Sequence, residues 1–179
     1  MSKAVFLDRD GVINRKPPRG SYITRWEEMH FLPDVAEGIG LLNRVGFRVI
    51  VVSNQRCVAK GLVTPAELES LHQRMCEQLA ASGAVIDEVY YCPHETWLEC
   101  HCRKPAPGML LAAARTHRLD LTSSWMIGDS DIDIDAGKSA GCKTARLLEC
   151  DTCADGKADV VALSLREAIY QILRLDKQL

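Results

Sequence analysis

Asp8 and Asp10 stand one residue apart at the end of an apolar run, Ala4-Val5-Phe6-Leu7, and Gly11 follows at once. A short apolar run reads as a strand buried in a sheet. In open α/β sheets, ligands bind at the carboxyl ends of the strands. Two carboxylates at such an edge repel each other unless a cation lies between them, and Mg2+ typically binds through one or two carboxylates plus substrate phosphates. The run by itself is equally readable as an acidic turn, since Asp and Gly are ordinary turn residues.

Three further segments decide between these readings. They are Ser53-Asn54-Gln55, Arg103-Lys104-Pro105 and Gly128-Asp129-Ser130-Asp131-Ile132-Asp133. With Asp8 and Asp10 they carry every residue type that hydrolysis of a phosphate ester requires. One Asp can attack phosphorus and form an aspartyl-phosphate, which divides one hard step into two. A second can protonate the leaving oxygen and later take a proton from water. Mg2+ held between Asp8 and Asp129 lets an anionic nucleophile approach an anionic phosphate. Ser53 can donate to a phosphoryl oxygen, Asn54 and Gln55 are expected to contact substrate, and Lys104 offers a point positive charge held by Asp133. The acids from Asp129 to Asp135 also loosely resemble a calcium loop, but Ile134 stands where that loop needs Gly and Ala140 where it needs Glu.

The elements that must position these residues alternate along the chain. Strands are expected at Phe47–Val52, Val85–Tyr91, Ser124–Ile127, Thr144–Leu148 and Val160–Leu163. Helices are expected over about Asp34 to Val45, from Thr64 to near Gly83, Pro107–His117, after the Ser124–Ile127 strand to about Gly141, and Ser164–Leu175. Thr64, Pro65 and Glu67 form an N-terminal capping signature. This alternation predicts an α/β, Rossmann-like, doubly wound and mainly parallel sheet with flanking helices, which brings the four segments to one sheet edge. The intervals between them are filled by core elements, so no separate cap domain is expected. The whole chain, 1–179, reads as one domain.

A formal net charge of −2 leaves no broad basic field, so nucleic acid is excluded as a partner and an anionic substrate must be held by a few local cations. No signal peptide and no membrane span is readable, which points to the cytoplasm. There, eight cysteines suggest buried thiols or metal ligands rather than disulfides. Four of the metal-ligand candidates cluster as Cys92-Pro93-His94 and Cys100-His101-Cys102. Residues i and i+2 of extended chain face the same way, so each segment makes a two-ligand claw. Cys92, His94, Cys100 and Cys102 together suit a closed, tetrahedral, structural Zn2+, with His101 pointing away. This loop, 92–102, would deliver Arg103 and Lys104 to the site. The Cys150-x-x-Cys153 pair reads as incidental.

Asp8-Arg9-Asp10-Gly11-Val12, Ser53-Asn54, Lys104 and Gly128-Asp129 to Asp133 resemble the four motifs of the haloacid dehalogenase superfamily of phosphotransferases. The resemblance implies Asp8 as nucleophile on a central strand, Asp10 as general acid/base, and Mg2+ on Asp8, Asp129 and the Asp10 backbone carbonyl. The metal loop, with Cys102-Arg103-Lys104-Pro105-x-Pro107-Gly108-Met109-Leu110, is similar to the D-glycero-D-manno-heptose 1,7-bisphosphate 7-phosphatases. It is nearly as similar to the histidinol-phosphate phosphatases. The former implies a cytoplasmic, monomeric enzyme of lipopolysaccharide core precursor synthesis acting on a small phosphorylated sugar, with Arg103 the first choice for a distal phosphate. A cationic histidinol phosphate would instead want Tyr22, Trp26, Glu27 and Glu28. A non-catalytic zinc-stabilised binding module is the remaining alternative.

Overall fold

The computed structural model describes residues 2–148 and 156–177. Six strands form one sheet: β1 (Ala4–Leu7), β2 (Arg48–Asn54), β3 (Glu88–Cys92), β4 (Trp125–Gly128), β5 (Lys143–Leu147) and β6 (Val160–Ala162). Five helices connect or close them: α1 (Val35–Arg44), α2 (Pro65–Ala80), α3 (Gly108–His117), α4 (Asp131–Ala140) and α5 (Leu165–Leu175). The spatial order is β3-β2-β1-β4-β5-β6 and every pairing is parallel. The chain grows outward from β1 to β3 on one side and restarts at β4 on the other. The crevice between β1 and β4 is therefore the point where strand order reverses, where ligands of such sheets bind.

The unbroken apolar character of the central strands follows from burial on both faces. Val5, Leu7, Val49 and Val51 pack with Ile39, Leu42, Leu68, Met75 and Ile169, which come from α1, α2 and α5. Ala4, Phe6, Ile50 and Val52 point the other way and pack with Met109, Leu110, Ala113 and Ala136 from α3 and α4. Successive residues thus serve opposite cores, as the period of a strand requires. Helix α2 starts where its sequence signature predicts: Thr64 Oγ1 accepts from the Glu67 amide, and Glu67 accepts from the Thr64 amide.

One expected strand begins late. Val85 and Ile86 lie outside β3, which starts at Glu88. Side chains occupy the backbone groups that pairing would use. The Asn43 amide brackets Val85, accepting from its N–H at 2.8 Å and donating to its carbonyl at 3.0 Å. The Asp87 carboxylate accepts from the Val49 N–H at 2.8 Å. Cys150 and Cys153 lie outside the described residues.

Candidate active site

Parallel register aligns the strand ends. Leu7 pairs with Ile127 and with Val51, and the Asp8 amide donates to the Ile127 carbonyl at 3.0 Å. Asp8 therefore emerges beside Gly128-Asp129 on one side and near Ser53 on the other. Together, Asp8, Asp10, Lys16, Ser53, Asn54, Lys104, Asp129, Ser130 and Ile132 line a cavity of about 230 Å3.

Two glycines permit this crowding. A Cβ on Gly11, whose φ is +93°, would lie 2.2 Å from Asp129 Oδ2. A Cβ on Gly128 would lie 2.1 Å from the Cβ of Asp133. Real side chains cannot approach so closely, so each position needs the missing Cβ.

Lys104 is buried, and its ammonium sits in a cradle of three oxygens. Nζ lies 2.6 Å from Asp133 Oδ1 and donates to Asp8 Oδ1 at 2.8 Å and to the Val52 carbonyl at 2.8 Å. Burial works against its charge, but Asp8 and Asp133 outweigh that and hold its pKa above the ordinary value. Burial also pushes the Asp8 carboxyl up to about 7, with Lys104 opposing. Asp129 is raised by burial too, opposed by Lys16, whose Nζ lies 2.6 Å from Asp129 Oδ2. A carboxylate pushed toward protonation by burial is one that a cation would stabilise. Carboxylate oxygens of Asp8, Asp129 and Asp133 lie within 4.8 Å of one another. Asp133 is committed to Lys104 and to Ser130, whose hydroxyl donates to its Oδ2 at 2.5 Å. Asp133 thus has both oxygens engaged, whereas Asp8 and Asp129 each meet an ammonium through one oxygen and form a hard-oxygen pair of the kind that suits Mg2+.

Asp10 is held from several directions. Arg9 donates to it through Nε and Nη2 at 2.9–3.1 Å, Asn14 through Nδ2 at 2.8 Å, and Gln55 through Nε2 at 3.3 Å. Ser53 Oγ accepts from the same Gln55 amide at 2.7 Å, which leaves the hydroxyl proton available for a ligand. Asn54 and Gln55, expected at the substrate, use their amides on the protein. The Asn54 amide brackets Lys104, accepting from its N–H and donating to its carbonyl, both at 3.0 Å. Sequence spacing shows the segment but not which way each amide turns. Sequence spacing does not single out Arg9, His72 or Asn14: Arg9 lies between two acids, and His72 is on a helix distant in sequence.

The cysteine claws close on each other. Cys92, His94, Cys100 and Cys102 bring Sγ and Nδ1 atoms to separations of 3.2–3.7 Å. In a tetrahedral Zn2+ site the ligand atoms stand about 3.5–3.8 Å apart, given Zn–S and Zn–N bonds near 2.3 and 2.0–2.1 Å. The donor set and its spacing fit that ion. Pairing of Asn54 with Cys92 anchors the cluster to the strand that also ends at Ser53-Asn54. His101 is exposed, and its carbonyl accepts from the Gly108 N–H at 3.0 Å. Beyond the cluster, Thr96, Leu98, Arg103, Pro105 and Ile132 line a groove of about 520 Å3 that shares Lys104 with the first cavity. Arg103 donates to the His94 carbonyl at 3.2 Å, which ties its guanidinium to the metal loop.

The chain is similar to known proteins in sequence and in fold. The HAD-hydrolase-like family model matches residues 101–168. D-glycero-beta-D-manno-heptose-1,7-bisphosphate 7-phosphatase of Rhodopseudomonas palustris is 40% identical over 145 residues, covering 77% of this chain and 79% of the relative. The corresponding phosphatase of Vibrio cholerae is 35% identical and is covered over 98% of its length, with 97% of this chain. The crystal structure of D,D-heptose 1,7-bisphosphate phosphatase from B. bronchiseptica, complexed with magnesium and phosphate, superposes with a TM-score of 0.86. That protein is 30% identical, and the match covers 97% of this chain and 99% of the other.

Proposed function

The chain belongs to the D-glycero-D-manno-heptose-1,7-bisphosphate 7-phosphatases of the haloacid dehalogenase superfamily, an enzyme family of phosphoric monoester hydrolases, and from that membership we propose its reaction and the part each residue takes. The substrate is D-glycero-D-manno-heptose 1,7-bisphosphate, and the products are heptose 1-phosphate and inorganic phosphate. The observation that carries this reading is the cavity in which Asp8, Asp10, Ser53, Lys104 and Asp129 meet, which shares Lys104 and Ile132 with the groove that Arg103 lines.

The Asp8 carboxylate attacks the phosphorus of the 7-phosphate. The bond from phosphorus to the sugar O7 breaks, and Asp10 gives its proton to O7. Asp10 then takes a proton from water as that water attacks the aspartyl-phosphate, which releases phosphate and restores Asp8. Ser53 and Lys104 donate to the transferring phosphoryl oxygens, where negative charge concentrates. Asp8, Asp129 and the Asp10 backbone carbonyl would hold Mg2+, which would supply the charge neutralisation that lets carboxylate and phosphate meet. Cys92, His94, Cys100 and Cys102 would hold a structural Zn2+, which would fix the loop that carries Arg103 and Lys104. Arg103 receives the distal 1-phosphate, for which a forked guanidinium is suited.

Among the described residues no helix is long and apolar enough to cross a membrane. With that, we read residues 1–179 as one cytoplasmic, monomeric phosphatase domain supplying lipopolysaccharide core precursors. Histidinol phosphate is the competing substrate. Its cationic groups would need the acidic and aromatic residues near Tyr22, but arginines already engage several of these. Arg56 donates to the Tyr22 hydroxyl at 3.0 Å, Arg25 to Glu28 at 2.9 Å, and Arg74 lies over the Trp26 ring at 4.6 Å. The kinetic test is kcat/KM with Mg2+ on both substrates. The heptose bisphosphate should be preferred by a wide margin, and the opposite ranking would remove the proposal.

A further inference from the structure

Arg9 is the one residue between the two strand-end acids, and it is completely buried. It lies in the bend just past β1, and its side chain runs to α2, where it meets His72. A guanidinium there must be fully partnered, because an unpaired buried charge is severely destabilising. Its partners are two. Nε and Nη2 grip both oxygens of Asp10 at 2.9–3.1 Å, a forked arrangement that fixes the carboxylate in rotation as well as position. Nη1 reaches the other way, to Nε2 of His72 on α2 at 3.1 Å.

His72 is built to receive that bond. It is 4% exposed, on the core face of α2 with Leu68, Leu71 and Met75. Burial, and then the Arg9 charge, bring its pKa down to about 3, so the ring is neutral and Nε2 can present a lone pair to Arg9. The Tyr91 ring packs against it edge to face, with centroids 5.7 Å apart. A leucine pair would fill the same space without the cost of burying a charge. What the polar chain provides is a rigid connection from a helix in the core to a carboxyl group on the rim of the cavity.

We infer that His72 acts through Arg9 as a positioning residue, fixing the Asp10 carboxyl where it can hand a proton to the leaving oxygen. This rests on the proposed acid role of Asp10. The two ideas separate through leaving-group chemistry. A sugar alkoxide leaves badly without a proton, whereas p-nitrophenolate leaves well without one. The quantity kcat/KM reports on events up to formation of the phosphoenzyme, so it senses the acid only when the leaving group needs it.

The experiment compares kcat/KM on heptose 1,7-bisphosphate and on p-nitrophenyl phosphate for the wild type, Asp10→Asn, His72→Leu, His72→Asn and His72→Gln. Asp10→Asn should lower the sugar-to-aryl ratio most. His72→Leu should lower it by about 10-fold, in line with the sensitivity of proton transfer to small misplacements. His72→Gln, whose amide oxygen can accept from Arg9, should return to within about 3-fold of the wild type. Should His72→Leu fail to fold, the shorter His72→Asn, which cannot span to Arg9, carries the same expectation. If the His72 variants lower both activities in parallel, or neither, while Asp10→Asn lowers the ratio, the positioning role is wrong and the acid role stands. If Asp10→Asn leaves the ratio unchanged, the acid role itself falls, and this inference with it.

Discussion

Replacing Asp133 by Asn should destabilise the protein by several kcal/mol although the shape is unchanged. Asp133 is fully buried, with one oxygen in an ion pair and the other accepting hydrogen bonds. Oδ1 faces the Lys104 ammonium at 2.6 Å, and Oδ2 takes the Ser130 hydroxyl and amide at 2.5 and 3.2 Å, closing the capping box of α4. An amide has one accepting end. If its oxygen turns to Lys104, its NH2 meets the Ser130 donors; if the oxygen turns to Ser130, the NH2 meets an ammonium. One side is always lost. Loss of the ion pair on the lysine side costs at least as much as a hydrogen bond to a charged group, about 1.5–3 kcal/mol, and loss of the helix cap costs about 1 kcal/mol. The conflict between two donors adds to either, so about 3 kcal/mol is expected, at the lower end for a broken buried pair. For a domain of this size that lowers Tm by about 6–12 °C. The assay is thermal and urea unfolding beside Asp131→Asn as a control. Asp131 is about half exposed and pairs at the surface with Arg146 and Lys157, so its loss should cost at most about 1 kcal/mol. Activity of the Asp133→Asn variant should fall as well, since Lys104 loses one of two carboxylate anchors. Equal, small effects of the two substitutions would refute the cradle as described.

Three further outcomes follow. Cys102→Ser should lower bound zinc, measured by elemental analysis, and with it both stability and activity, because Lys104 lies two residues beyond; full activity without zinc would detach the loop from catalysis. His72 ordinarily titrates near 6.5 but is held at about 3 in the folded protein, so the unfolded chain binds its proton first. Its contribution is thus fully present above pH 6.5 and lost as pH falls toward 3. By pH 4 the wild type should lose about 3 kcal/mol relative to His72→Gln, read from urea midpoints across the range. Gly11→Ala should weaken Mg2+ binding in calorimetric titration and slow turnover, because its methyl group would meet Asp129 Oδ2 and its φ is positive.

The sheet was readable because its strands are buried on both faces and appear as unbroken apolar runs separated by helical patterns. The late start of β3 was not, since Asn43 and Asp87 bind that backbone by side chains, which no run of apolar residues announces. Parallel topology makes it a matter of geometry that segments after β1, β2 and β4 meet at one edge. The claw spacing of the metal loop is equally local, so the clustering of Cys92, His94, Cys100 and Cys102 was legible. The turning of Asn54 and Gln55 toward Lys104 and Asp10 depends on side-chain torsions that spacing does not encode. The contact of Arg9 with His72 joins residues 63 positions apart, and an isolated histidine on an apolar helix face carries no local sign of it.

The proposed reaction is tested most directly by following heptose 1,7-bisphosphate by phosphorus NMR with wild-type protein and with Asp8→Asn, each with and without Mg2+. The wild type with Mg2+ should remove the 7-phosphate resonance alone, leaving heptose 1-phosphate and inorganic phosphate, and Asp8→Asn should leave the substrate intact. Loss of the 1-phosphate first, or equal turnover by Asp8→Asn, would contradict the assignment of both substrate and nucleophile.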